Sequence, residues 1–331
     1  MRKTKVGVVG TGHLGALHAK MYSQIESADL IGVYDADAGK AKKVAEDFGT
    51  RAFDRLEDLL SEAEATSIVT STKAHHEVAM KALQHGCDIL IEKPITETIE
   101  QAQEIVAVAE RMKKKVQVGH IERFNAAIIA LEEYTLEPLF IESHRLAQFN
   151  PRGTDVAVVL DLMIHDIDLI LSLVKSPVAK IDANGVAVVS DSLDIANARL
   201  QFANGCVANV TASRISQNKM RKMRLFQRDA YISVDFVQGV AEVFRLADEM
   251  RADAKGTMLL GNVDQGARKR LVLYEQPEVK EVNALKHELT LFLRSVQEDR
   301  DPPVTGKDGI EALAVAQEIL KRIESQTIRS V

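Results

Sequence analysis

The sequence predicts an α/β protein in two parts: a helix-covered parallel sheet over residues 1–120, then an α+β domain over residues 121–331 built on a large, mainly antiparallel sheet. Three observations lead there. Short apolar strand signals alternate with helical periodicity through the first third, as successive β-α-β units require. A glycine-rich turn, Gly10-Thr11-Gly12-His13-Leu14-Gly15, follows the first of those strand signals. Beyond His120 the pattern changes to long alternating segments, with Asn204-Gly205 between two of them as a hairpin signal.

In order, Val6–Val9 reads as a buried strand and Ala16–Tyr22 as a helix. A second strand, Leu30–Tyr34, ends at Asp35, and helix Ala38–Phe48 and a short helix at Leu56–Leu60 follow. Strand Ser67–Val69, helix His75–Gln84 stopped by Gly86, strand Ile89–Ile91, helix Glu100–Arg111 and strand Val116–Gly119 complete the parallel sheet. The second part reads as helix Glu122–Glu133, strand Phe140–Leu146 and a helix around Val158–Leu173. Strand signals at Val178–Val189, Ile195–Phe202 and Val207–Ser213 follow, and helices Ala284–Gln297 and Lys307–Glu324 close the chain. Arg251–Gly266, polar with scattered glycines, is expected to be a mobile loop.

With 331 residues, 46% hydrophobic content and a net charge of -6, the chain is long enough for two cores and is not suited to nucleic acid. Cys87 and Cys206 sit in apolar strand-like stretches, which excludes a disulfide framework and fits a reducing compartment, so a cytoplasmic protein is expected. The basic start, Met1–Lys5, leads into the glycine turn rather than a cleavage site, and no apolar stretch is long enough to span a bilayer.

The glycine turn lies between a strand and a helix, where phosphate binds at the helix's positive end. Asp35, twenty residues past Gly15, stands where a carboxylate accepts both ribose hydroxyls of an adenosine. It would repel a 2′-phosphate, and no arginine follows it directly, so NAD is expected over NADP. Read alone, Asp35 also fits a solvated loop aspartate.

Strand Ile89–Ile91 runs into Glu92-Lys93-Pro94, which puts a lysine at the carboxyl end of a parallel strand, where ligands of such sheets bind. Near a nicotinamide's positive charge its pKa would fall, suiting proton exchange with a sugar hydroxyl. The plainer reading is an exposed lysine paired with Glu92. Asp161, His165 and Asp168 share a helix face at i, i+4 and i+7, beside an apolar stripe of Leu160, Ile164, Ile167, Leu171 and Val174. Asp161 could hold His165 in one tautomer for general base work, or the two could form a solvated surface pair. A metal site from Asp161, His165 and His144 is a competing use, but no HExxH or cysteine cluster accompanies them, and no metal is expected. Arg214–Arg224 carries five basic residues and no acid, which suits a polyanion such as a nucleotide diphosphate, with Arg214, Lys219 and Arg221 as contacts. It equally suits the wet side of a sheet.

Together, the glycine turn with His18-Ala19, Thr70 to His75, Glu92-Lys93-Pro94, and Asp161 with His165 resemble the Gfo/Idh/MocA oxidoreductases over the whole chain. The resemblance implies a Rossmann dinucleotide-binding domain followed by a substrate-binding and oligomerisation domain, assembled as a homodimer or homotetramer. It also implies that Lys93, Asp161 and His165 are catalytic. Gly10, Gly12, His13, Leu14, Gly15, Asp35, Thr70, His75 and Glu92 would bind NAD. Lys93, Arg123, Asp161 and His165 would bind substrate. Ser71 stands where many members have proline and Met163 where many have glycine, which bears on the sugar pocket. Gly119–Asn125, Asp161–Leu171, Asp194–Arg199 and Ser213–Gln217 are most similar to the branch that oxidises the 3-hydroxyl of UDP-linked N-acetylglucosamine for lipid A synthesis. The alternatives are the same chemistry on a free sugar or polyol, of the inositol or glucose type, and a non-catalytic dinucleotide or sugar sensor.

Overall fold

The computed structural model describes residues 2–150, 156–249, 257–265 and 268–327, which fall into two compact units. The first comprises Met1–Ile121 with Asn283–Ala314, the second Glu122–Val282 with Val315–Val331.

The first unit opens with β1 (Thr4–Val9), α1 (His13–Tyr22), β2 (Ala28–Tyr34), α2 (Ala38–Phe48), β3 (Arg51–Ala52) and α3 (Leu56–Glu62). It continues with β4 (Ala65–Ile68), α4 (Thr72–Gln84), β5 (Asp88–Glu92), α5 (Ile99–Met112) and β6 (Val116–Gly119). The six strands form one parallel sheet in the order β3-β2-β1-β4-β5-β6. Every residue of β4, β5 and β6 is buried, because helices on both faces leave a parallel strand no wet side. Side chains fix the helix starts: Asp37 accepts from Gly39 N–H and Lys40 N–H at α2, and Thr98 and Gln101 form a capping box at α5. The strand order reverses between β1 and β4, and the crevice at their carboxyl ends is where such sheets bind ligands.

The second unit begins with a 3-10 turn at Ile121–Phe124, α6 (Ala126–Ile129) and β7 (Phe140–Leu146). A π-turn at Val159–Met163 runs into α7 (Ile164–Val174). Then follow β8 (Val178–Val186), β9 (Ile195–Phe202), β10 (Val207–Ser213), β11 (Met220–Phe226), β12 (Ala230–Asp235), β13 (Val240–Ala247), β14 (Thr257–Gln265) and β15 (Arg268–Glu275). These make a nine-stranded sheet in the order β14-β15-β13-β12-β11-β7-β10-β9-β8, antiparallel except for the parallel pair β7 and β10. Alternation is regular: Ile141, Ser143 and Arg145 of β7 are buried on one face, while Phe140, Glu142 and His144 take the other. On that second face Phe140, Phe226, Tyr231, Phe244 and Tyr274 form a ladder across five strands, with neighbouring ring centroids 5.0 to 5.8 Å apart.

Four expectations differ from what is found. The helix foreseen over Glu122–Glu133 is broken into the 3-10 turn and α6, because Asn125 accepts from Ala127 N–H at 3.1 Å and so starts a new helix. The strand foreseen to Val189 ends at Val186, since the N–H groups of Val188, Val189 and Ser190 donate to the Asp194 carboxylate at 2.7 to 3.0 Å instead of a neighbouring strand. Within the loop foreseen at Arg251–Gly266, residues 257–265 are β14, and 251–256 and 266 lie outside the described residues. Finally, the chain returns: α8 (Ala284–Gln297) and the start of α9 (Gly306–Thr327) belong to the first unit, not to a second domain running unbroken from 121 to 331. Leu285, Leu289, Phe292 and Leu293 of α8 share one core cluster with Val6, Val8, Tyr22 and Val33. Their i, i+4, i+7, i+8 spacing marks an amphipathic helix but does not say which core receives it.

Candidate active site

The three glycines of the first turn do three different things. At Gly10, with φ +92°, an added Cβ would meet Val69 O at 2.5 Å, so only glycine fits the tight turn. At Gly15 a Cβ would strike Gly10 O, which lets α1 pack against the turn. At Gly12, the N-cap of α1, a Cβ would meet nothing, and no side chain caps the helix. That open, uncapped N-terminus, with His13 and Leu14 exposed, is the cradle a pyrophosphate requires. Asp35 is tied to the same turn: Thr11 donates to its Oδ2 through N–H (2.6 Å) and Oγ1 (3.0 Å), and Asp37 N–H to its Oδ1 (2.9 Å). Burial alone would raise its pKa, but these hydrogen bonds and the Lys40 charge outweigh it and hold the carboxyl below its ordinary value. Asp35 is therefore a fixed, half-buried carboxylate rather than a free loop residue.

The loops after β4 and β5 are joined by His75, placed against the cofactor by sequence reasoning. The ring is only 1% exposed, with Nδ1 3.0 Å from Pro94 O and Nε2 3.2 Å from Thr70 O, so it braces both loops instead of reaching a ligand. Burial holds its pKa down against the carbonyls that raise it. Glu92, also expected at the cofactor, is buried at the end of β5 with Oε1 3.2 Å from His18 Nε2. Lys93 is half-buried and the Lys93–Pro94 bond is cis. Thr70 is half-buried at the carboxyl end of β4.

In the second unit the helix foreseen as an amphipathic stripe is buried nearly all round. Its first turn is π-helical, a widening often found at functional positions, and it carries Asp161; His165 follows in α7. Both are half-buried. Met163 is fully buried between them, so its bulk fills the core rather than lining an open pocket. Asp168 does not share an open face with them: it is buried and takes a bidentate pair from Arg123, Nε to Oδ2 at 2.8 Å and Nη2 to Oδ1 at 2.6 Å. Arg123, foreseen as a substrate contact, thus anchors α7. A second buried pair escaped the sequence reading. Arg145, 2% exposed, donates to both oxygens of Asp166 (2.7 and 3.2 Å) and to Glu122 Oε1 (2.8 Å), and these charges hold its guanidinium protonated against burial. No local pattern marks such a network, because its members are 21 and 23 residues apart.

The basic run divides. Lys222 and Arg224 face the aromatic side of the sheet and pair with Asp235 and Glu142 on adjacent strands, so for these two the wet-side reading holds. Arg214, foreseen as a diphosphate contact, is instead 5% exposed and binds Asp194 Oδ1, Ser192 Oγ and Leu193 O. Leu193 O also accepts from Val158 N–H at 3.0 Å, so Arg214 supports the entry to the π-turn. Lys219 is exposed before β11, and Arg221 is half-exposed with Nη1 3.5 Å from Glu122 Oε1. Alternation puts His144 on the face opposite Arg145 and α7, away from Asp161 and His165. Among the described residues no three histidine, cysteine, aspartate or glutamate side chains gather as a metal site. None of the described helices is long and apolar enough to cross a membrane.

Residues 4–120 match the oxidoreductase family with an NAD-binding Rossmann fold, and residues 110–233 match the GFO/IDH/MocA C-terminal domain. The chain is 36% identical over 322 residues to a UDP-N-acetylglucosamine 3-dehydrogenase of Acidithiobacillus ferrooxidans, covering 97% of each. The chain belongs to the Gfo/Idh/MocA family. A solved structure of the Acidithiobacillus ferrooxidans enzyme superposes with a TM-score of 0.87 at 35% identity, over 98% of this chain and 99% of that one. An inositol 2-dehydrogenase of Rubrobacter xylanophilus is 31% identical over 191 residues, 55% of each chain. This Gfo/Idh/MocA protein is an NAD-dependent dehydrogenase. Its residues fit the cofactor: Gly12 leaves the space and uncapped amides a pyrophosphate needs, and Asp35 offers a fixed carboxylate to the ribose.

Proposed function

We propose that this dehydrogenase oxidises the 3-hydroxyl of a UDP-N-acetylglucosamine-type nucleotide sugar to the 3-keto sugar. The observation that carries the reading is the full-length similarity to the Acidithiobacillus ferrooxidans enzyme, which spans both units. NAD supplies the acceptor for the hydride from sugar C3. Lys93 shares the hydroxyl proton and stabilises the developing alkoxide. His165 acts as base or relay, and Asp161 orients it. Lys219 and Arg221 contact the diphosphate; Arg214, committed within the second unit, is left out of that set. A keto sugar of this kind is the substrate of an amino-transfer step, which fits lipid A synthesis in the cytoplasm. The aromatic ladder on the second sheet face supports assembly as a homodimer or homotetramer.

Purified protein given NAD and UDP-N-acetylglucosamine, with an aminotransferase removing the product, is expected to form NADH and a keto sugar seen by mass spectrometry. No product under those conditions overturns the substrate. Substituting Lys219 and Arg221 is expected to raise the KM for the UDP-sugar about tenfold; an unchanged KM, or equal turnover of a neutral polyol, favours the polyol reading.

A further inference from the structure

We infer that His18 is a positioning residue for Lys93, acting through the carboxylate of Glu92. The inference rests on the reading above only in giving Lys93 the chemistry.

His18 sits in α1 with its ring fully buried. Its Nε2 donates to Glu92 Oε1 at 3.2 Å, and its Nδ1 has no hydrogen-bond partner among the described residues. The one polar commitment of the ring is therefore to Glu92. The other carboxylate oxygen accepts Lys93 N–H at 3.3 Å. One carboxylate thus ties the glycine-turn helix to the backbone of Lys93, where β5 ends.

The surroundings are shaped for that carboxylate. A Cβ at Gly119, on the adjacent strand β6, would lie 2.7 to 2.9 Å from Glu92 Oε1, Cδ and Oε2, so the missing side chain is what leaves room for it. Burying a carboxylate here is costly, and a leucine in its place would join the same elements at lower cost. Burial alone would push Glu92 up, but the hydrogen bonds from His18 and the Lys93 backbone and the nearby Lys93 charge outweigh it, so the group stays ionised. A fixed negative charge beside the Lys93 backbone does what an apolar contact cannot: it holds the direction in which the lysine leaves the strand and sets the field at its amine.

The test compares His18→Leu, His18→Gln and Gly119→Ala with the wild type. Glutamine keeps a donor near the Nε2 position, leucine removes it, and alanine at Gly119 displaces the carboxylate while leaving His18 and Lys93 intact. With His18→Leu and Gly119→Ala, kcat is expected to fall about tenfold to a hundredfold while the KM for NAD changes less than about threefold. His18→Gln is expected to recover kcat to within about threefold of wild type. An unaltered kcat in His18→Leu or Gly119→Ala overturns the inference, as does loss of thermal stability with NAD affinity and no rescue by glutamine. If His18→Leu does not fold, Gly119→Ala and His18→Gln decide. A readout independent of substrate separates this from the proposed function. The acetylation rate of Lys93 by acetic anhydride, measured by mass spectrometry against Lys219, is expected to change about threefold or more in His18→Leu and Gly119→Ala. Unchanged labelling overturns the positioning role. A wild type inactive on the UDP-sugar but with labelling that shifts in the variants overturns only the substrate.

Discussion

Single residues set the terms on which cofactor is held. Gly10 has no substitute: in Gly10→Ala the positive φ and the close approach to Val69 O act together. We expect a loss of about 1 to 3 kcal/mol by chemical denaturation, with NAD affinity falling by a larger factor than stability explains. If the Asp35 carboxylate meets the adenosine ribose, Asp35→Ser is expected to lower the ratio of kcat/KM for NAD to that for NADP about tenfold or more. Asp194 gives the pH dependence. Burial would raise its carboxyl, but the Ser190 hydroxyl and three backbone N–H groups outweigh that and hold it well below the usual carboxylate range. A depressed folded pKa gives stability that is complete above the unfolded value of about 3.9 and is lost as pH falls toward the folded one. Urea midpoints of wild type and Asp194→Asn should therefore differ clearly at neutral pH and converge in acid; a gap independent of pH would refute the assignment.

At the level of elements, legibility in the sequence follows how local the deciding interaction is. Helix Ala38–Phe48 and strands Val116–Gly119, Phe140–Leu146, Ile195–Phe202 and Val207–Ser213 have the bounds that periodicity and neighbouring turn residues foretell. The spacing of the glycine turn is local and was equally legible, but the contacts that fix it are not: Gly10 is crowded by Val69 O, and Asp35 is held by Thr11, 24 residues away. What could not be read was decided across the sequence. Arg123 and Arg145 satisfy two buried acids of α7, and Asp235 and Glu142 pair with two of the five cations in a run that looks purely basic in one dimension. Arg145→Leu is expected to cost about 3 to 5 kcal/mol, because Asp166 would be left buried without its guanidinium and Glu122 would lose its shortest ion pair. Thr98→Ala, which only opens the capping box of α5, should cost about 1 kcal/mol. Denaturation curves on the two variants separate these magnitudes.

Across the whole molecule, the first unit is discontinuous in sequence. A fragment of residues 1–121 would leave the apolar face that receives Leu289, Phe292 and Leu293 exposed, and is expected to bind a hydrophobic dye and to melt without a sharp transition. Adding a peptide spanning residues 283–305 should restore cooperativity; a cooperative melt without it would refute the dependence. The same discontinuity governs biosynthesis. The glycine turn and its sheet leave the ribosome before α8, yet their core waits for that helix, which emerges more than 160 residues after β6. The nucleotide-binding unit is thus synthesised long before its core is completed, and in the interval its unsheathed apolar surface is a natural client for chaperones.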